Sequence, residues 1–241
     1  MIEIFKYDWT DATRQRVVPV KIYSPKENGQ FPVVIFSHGL GSSREVYGYL
    51  GRAWASRGFV SVHLQHAGSD IAVWDKFPIE QRMELLQRAA SLPENFINRP
   101  KDVSFVIDTL TELNESDARW KNQFDLNRIG VAGHAFGAFT ALASVGEIFF
   151  APDGTQLSFP DARVKAAIVM SPPIFPKVEQ QETAYAQIRV PCLHMTGTKD
   201  VSPIGETKAS DRRIPFDRIS GADQYFINFE GADHFIFSGR W

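Results

Sequence analysis

Residues 128–145 read Arg-Ile-Gly-Val-Ala-Gly-His-Ala-Phe-Gly-Ala-Phe-Thr-Ala-Leu-Ala-Ser-Val. Arg128 to Ala132 form a short β-like run and Phe136 to Val145 a helical one, so Gly133-His134-Ala135-Phe136-Gly137 must turn a strand into a helix. That is the setting of the G-x-S-x-G nucleophile elbow, whose glycines permit a strained turn that lifts the central side chain into a crevice. Here the central residue is Ala135.

Outward from this turn, strands and helices alternate. Upstream, Ile2 to Trp9 and Val17 to Tyr23 read as a hairpin, and Phe31 to Phe36 is a continuous apolar run of the kind buried on both faces. Arg44 to Arg57 carries Val46, Tyr47, Leu50 and Trp54 at helical spacing and stops at Gly58. Phe59 to Leu64 is a strand, and Pro100 to Leu113 a helix with Pro100 in its first turn. Downstream, Val164 to Met170, Pro191 to Thr196 and Gln224 to Phe229 are strands. The order predicts an α/β fold: a mainly parallel sheet with an N-terminal antiparallel hairpin and helices on both faces.

One domain, 1–241, accommodates this pattern, interrupted by a helical insertion at about 70–98 near the crevice. Within it Ile79, Met83, Leu86 and Ala90 share one helical face, and the segment reads equally as a lid or as a fixed cover. Pro172 to Arg189 is a polar loop or short helix beside the same crevice.

Composition removes several classes of function. At 44% hydrophobic and 22% charged the chain is neither disordered nor fibrous. The 26 basic and 28 acidic residues are interspersed, giving a net charge of −2 and no basic stripe for nucleic acid. The lone Cys192 excludes an internal disulfide, no Cys/His cluster has metal-ligand spacing, and no cofactor is expected. There is no apolar run long enough for a transmembrane segment. The lone cysteine and lack of a signal segment lean towards the cytoplasm, while an export signal removed ahead of Met1 fits secretion; oligomeric state is unreadable.

Three further pieces follow strands. Ser37-His38-Gly39-Leu40-Gly41 is a glycine-containing loop of the type that contributes a backbone N–H to an oxyanion hole. Thr196-Gly197-Thr198-Lys199-Asp200 puts a carboxylate at a strand end, and Gly231-Ala232-Asp233-His234 follows the last strand. With the Gln65-to-Asp70 turn and Arg99-Pro100-Lys101-Asp102, the chain resembles α/β-hydrolase esterases of the dienelactone hydrolase, chlorophyllase and platelet-activating-factor acetylhydrolase-like group.

The resemblance implies a carboxylic ester hydrolase. Its nucleophile position is Ala135, where Ser is expected, with Asp200 and His234 as acid and base and the N–H groups of Leu40 and Phe136 as oxyanion donors. A methyl group cannot attack a carbonyl. Ala135 is therefore either an inactivating Ser-to-Ala replacement, favoured by the retained acid, base and glycine turns, or the mark of a natural non-catalytic homologue that binds a ligand or partner. Relatives of this group usually continue into a further helix after the base, and only seven residues follow His234.

The candidate pocket residues are Trp74, Phe77, Phe139, Ile174, Phe175 and Phe235, which with the 19 phenylalanines predict small to medium hydrophobic esters as substrates. Asp233 is the rival acid. Asp70 and Asp102 read as loop and helix-start carboxylates, His134 as packing beside the elbow, and His38 as bonded within its own loop. His63 and His66 have no third ligand for a metal, and Cys192 reads as a small core residue.

Overall fold

The computed structural model describes residues 1–151 and 153–239. Strands β1 (Ile2–Asp11) and β2 (Arg16–Pro25) form the N-terminal hairpin, followed by β3 (Phe31–Ser37), α1 (Gly48–Ala55) and β4 (Val60–Leu64). Next come α2 (Arg82–Ala90), α3 (Pro93–Ser116), β5 (Phe124–His134) and α4 (Phe136–Val145). The short pair β6 (Phe149–Phe150) and β7 (Gln156–Leu157) precedes β8 (Val164–Met170), α5 (Gln181–Tyr185), β9 (Cys192–Lys199), α6 (Ile214–Arg218) and β10 (Gln224–Asp233).

The main sheet runs β1-β2-β4-β3-β5-β8-β9-β10. The hairpin joins it antiparallel through β2 and β4, and every later pairing is parallel. Alternation in β3 shows how the strands serve two cores. Val33 and Ile35 join the larger cluster with Val103, Val106 and Ile107 of α3 and Ala138 and Leu142 of α4. Val34 and Phe36 face the other way, towards Tyr47, Met170 and Phe237, with Leu50 and Trp54 of α1 packed against them. Burial of both faces explains the unbroken apolar run in β3.

Two helix starts differ from expectation. α1 begins at Gly48 rather than Arg44, because Tyr47 takes a left-handed conformation (φ 64°) that a helix cannot contain. α3 begins at Pro93, which occupies the first-turn position assigned to Pro100. Pro100 lies inside the helix and deprives the Phe96 carbonyl of its usual donor. The helix continues through it because its next residues are anchored: Arg99 is bound to the β3 loop and Asp102 to Arg16 and His66. Asp102 is accordingly a buried mid-helix carboxylate, not a helix-start one.

Candidate active site

The elbow is forced by close backbone approach. A Cβ on Gly133 would stand 2.0 Å from the Gly137 carbonyl oxygen, and one on Gly137 would stand 1.9 Å from that of Ser37. No side chain fits either position, so the β5–α4 turn can tighten only on glycine. Between them Ala135 is held at φ 54°, ψ −119°, a strained conformation for a residue with a Cβ. It is pinned by its N–H on the Met170 carbonyl (2.9 Å) and by its own carbonyl, which accepts from Ala138 N–H (2.8 Å).

At the ends of β9 and β10 the candidate acid and base meet. His234 Nδ1–H donates to Asp200 Oδ1 at 2.7 Å, and Thr196 Oγ1–H donates to Asp200 Oδ2 at 2.8 Å. Asp200 is fully buried. Burial alone raises its pKa, but the hydrogen bond from His234, the charge of Arg212 and the Ser171 hydroxyl outweigh it and hold the carboxyl well below the usual range. Asp233, the rival acid, is exposed and, among the described residues, its carboxylate accepts only from the Phe235 N–H in its own turn. Thus Asp200, His234 and Ala135 are brought together and Asp233 is left outside.

His134 steadies the base from beneath. Its Nε2–H donates to the His234 carbonyl (2.9 Å), which leaves Nδ1 to accept from the Tyr47 hydroxyl (2.8 Å). Burial, then the neighbouring His234, lower its pKa to about 3, so it is a neutral strut.

A cavity of about 750 Å³ opens over these groups and is lined by Leu40, Ala135, Phe136 and His234. Among the described residues, neither the Leu40 nor the Phe136 N–H donates to a backbone carbonyl. Both belong to segments bordering the cavity, as an oxyanion site requires. Of the expected pocket residues, Ile174, Phe175 and Phe235 are on its wall. Trp74, Phe77 and Phe139 are not. Trp74 turns its indole N–H onto the Gly41 carbonyl (2.8 Å), Phe77 lies in solvent, and Phe139 is sealed among Phe96, Phe136 and Phe149. The apolar face of α2 and the turn before it supplies what they do not, with Ile79 from the turn and Met83, Leu86 and Ala90 from α2 all on the wall. The insertion is strapped to the loop after β3 by that Trp74 bond and by Ile71 N–H on the Ser42 carbonyl (2.8 Å).

Two arginines complete the site; Arg99 belongs to the Arg99-Pro100-Lys101-Asp102 stretch, whereas no local sequence signal marks Arg212. Arg212 is 1% exposed; its guanidinium stands 3.2 Å from Asp200 Oδ1 and donates to the Ser171 and Pro172 carbonyls. Arg99 is wholly buried. It donates to Thr140, Ser69, Ser37 and the His38 carbonyl, and its guanidinium lies over the Phe136 ring.

Below the Ser37–Gly41 loop lies a serine–histidine–aspartate chain. Ser37 Oγ–H donates to His66 Nε2 (2.9 Å), and His66 Nδ1–H donates to Asp102 Oδ2 (2.9 Å). All three residues are wholly buried and off the cavity wall, so the chain fastens β3 to α3 and cannot meet a substrate. The remaining histidines are similarly occupied: His38 Nδ1–H donates to the Gly39 carbonyl, and His63 Nε2 pairs with Ser61. Asp70 is a buried loop carboxylate held by Gln65. Cys192 is buried in β9, where burial pushes its thiol up to about 12.

The chain is similar to known proteins. The family model described as platelet-activating factor acetylhydrolase, isoform II, matches residues 3–85 and 72–202. Platelet-activating factor acetylhydrolase from Cavia porcellus is 25% identical over 198 residues, 70% of this chain and 42% of the relative. That from Bos taurus is 23% identical over 240 residues, 84% of this chain and 49% of the relative. The chain thus spans less than half the length of these curated relatives. A solved dienelactone hydrolase from Klebsiella pneumoniae superposes with a TM-score of 0.71 at 15% identity, covering 100% of this chain and 90% of that one, a likeness of fold. Sheet order, elbow and family match agree: the chain is an α/β-hydrolase and belongs to the platelet-activating factor acetylhydrolase, isoform II, family.

Proposed function

We propose that the cavity is a carboxylic-ester site of the serine-hydrolase kind, suited to small or medium hydrophobic esters, with its nucleophile position held by Ala135. One observation carries this reading: His234 is bonded at 2.7 Å to a buried, ionised Asp200 and lines the same cavity as Ala135. With serine at 135, His234 takes the hydroxyl proton during attack on the ester carbonyl and returns it to the leaving alcohol. Asp200 fixes the imidazole tautomer and stabilises the imidazolium. The Leu40 and Phe136 N–H groups receive the oxyanion, each worth about 3–4 kcal/mol in comparable sites. The apolar wall of Ile79, Met83, Leu86 and Phe175 suits an acyl or aromatic group, and the acetyl-cleaving names of the relatives favour a short acyl chain.

Ala135 itself favours a second reading for the unsubstituted chain, binding without acyl transfer, since loss of the serine costs on the order of 10⁶ in turnover. The test is Ala135→Ser with nitrophenyl esters of increasing acyl length and a serine-directed phosphonate. We expect hydrolysis of the shorter esters and stoichiometric labelling of the variant. Absence of both, in a variant that melts like the parent, overturns the ester-site reading.

A further inference from the structure

With Ala135 in place, the rest of the apparatus remains assembled around an unfilled position. His234 Nδ1 is committed to Asp200, and among the described residues its Nε2 has no protein partner. Phe136 is buried, yet among the described residues its N–H has no backbone acceptor. A buried donor of this kind calls for a water or ligand partner. A methyl rather than a hydroxymethyl group at 135 leaves one oxygen fewer in the cavity that His234 also lines. A water molecule needs only about 10–15 Å³ of accessible volume and two to four polar partners, and the cavity offers about 750 Å³.

Several other thiol and hydroxyl groups are buried elsewhere or engaged by the backbone. Cys192 and Ser37 are buried off the cavity wall. The Thr207 hydroxyl accepts from Ile174 N–H, that of Ser202 accepts from Gly205 N–H, and that of Ser238 donates to the Phe235 carbonyl.

We propose that the chain with Ala135 hydrolyses activated carboxylic esters slowly and without a covalent intermediate, using a water held by His234 at the position of the missing hydroxyl. This rests on the ester-site reading above. His234 Nε2 takes a proton from the water as its oxygen bonds to the carbonyl carbon. The carbonyl π pair moves onto oxygen, where the Leu40 and Phe136 N–H groups receive it. The tetrahedral adduct then collapses: the C=O re-forms, the bond to the alkoxy oxygen breaks, and that oxygen takes the proton from Nε2. Ester and water become acid and alcohol, and Asp200 and His234 end as they began. The same histidine and water perform the deacylation half of a serine mechanism, here directed at the substrate itself. Without a covalent intermediate the leaving group must be good, so aryl esters are hydrolysed before alkyl esters.

The experiment compares the unsubstituted chain, His234→Gln, Asp200→Asn and Ala135→Ser on 4-nitrophenyl acetate, all prepared identically and checked for cooperative melting. The unsubstituted chain is expected to work at least tenfold faster than His234→Gln, to show no pre-steady-state burst and to form no acyl adduct by intact mass. Asp200→Asn should also fall below it. A rate unchanged in His234→Gln, or a burst with an acyl adduct, overturns the proposal. If Ala135→Ser is active while the unsubstituted chain stays at the His234→Gln rate, water attack fails and the ester site stands. If neither is active, the ester-site reading itself fails.

Discussion

The Arg99 guanidinium stands 4.6 Å from the centre of the Phe136 ring and donates to the His38 carbonyl, so one buried side chain touches both arms of the candidate oxyanion site. Burial lowers its pKa to about 9, which leaves it cationic at neutral pH. Arg99→Met abandons four hydrogen-bonded neighbours in a closed interior and should cost about 3–5 kcal/mol in urea unfolding. Arg99→Lys keeps the charge but not the fork. In an Ala135→Ser background it should lower kcat more than it raises KM; a change in KM alone would show that Arg99 does not hold the oxyanion donors.

Asp200 and Asp233 are separated by their surroundings, the first buried on His234 and the second turned to its own loop. In the Ala135→Ser background, Asp200→Asn should reduce turnover by roughly 10⁴, the scale of losing a triad acid, and Asp233→Asn by less than about threefold. Steady-state kinetics on one short aryl ester decide the matter, and the opposite ranking removes Asp200 from its role.

Gly137→Ala places a methyl group 1.9 Å from the Ser37 carbonyl oxygen, whereas the methyl of Gly130→Ala meets its nearest neighbour, the Ala166 carbonyl, at 3.6 Å. The first variant should not accumulate as folded protein. The second should remain within about 1 kcal/mol of the parent. Soluble yield and melting temperature distinguish them.

Acid stability follows from buried histidines. Burial lowers His63 and His134 to about 3 and His66 to about 4, against 6.5 when exposed. Below pH 6.5 the unfolded chain therefore takes up protons that the fold refuses, and stability present above that pH is lost as it falls. Glu147 acts oppositely: burial raises it to about 8, so the fold keeps it protonated while the unfolded chain ionises above 4.5. His38 and His194 are lowered by burial as well, so the histidines outweigh the glutamate and stability falls as the pH drops from 6.5 to 4.5. Urea midpoints across that range test the slope. Glu147→Gln should raise stability at pH 8 and have little effect at pH 4.5.

What was legible in the sequence is what the chain specifies locally. The elbow needs only its glycines at 133 and 137 beside a strand and a helix, and α4 has the predicted bounds, Phe136 to Val145. The face of Ile79, Met83, Leu86 and Ala90 is likewise a matter of spacing, but its destination on the cavity wall is not, because periodicity names a face and never its partner. Pro100 misled for a related reason. A proline suits a first turn, and only the anchoring of Arg99 and Asp102 by distant segments explains why the helix passes through it. Arg212 reaches Asp200 from a turn twelve residues further on, a meeting arranged by the strand ends rather than by a motif.

The backbone at 135 has a consequence for how this chain relates to its past and future sequences. Its φ of 54° burdens alanine and serine alike, since each carries one unbranched Cβ. Exchanging them leaves the frame undisturbed, and their codons can differ by a single base. The step between a silent site and a nucleophilic one is therefore short in mutation and nearly flat in folding energy, open to traffic in either direction.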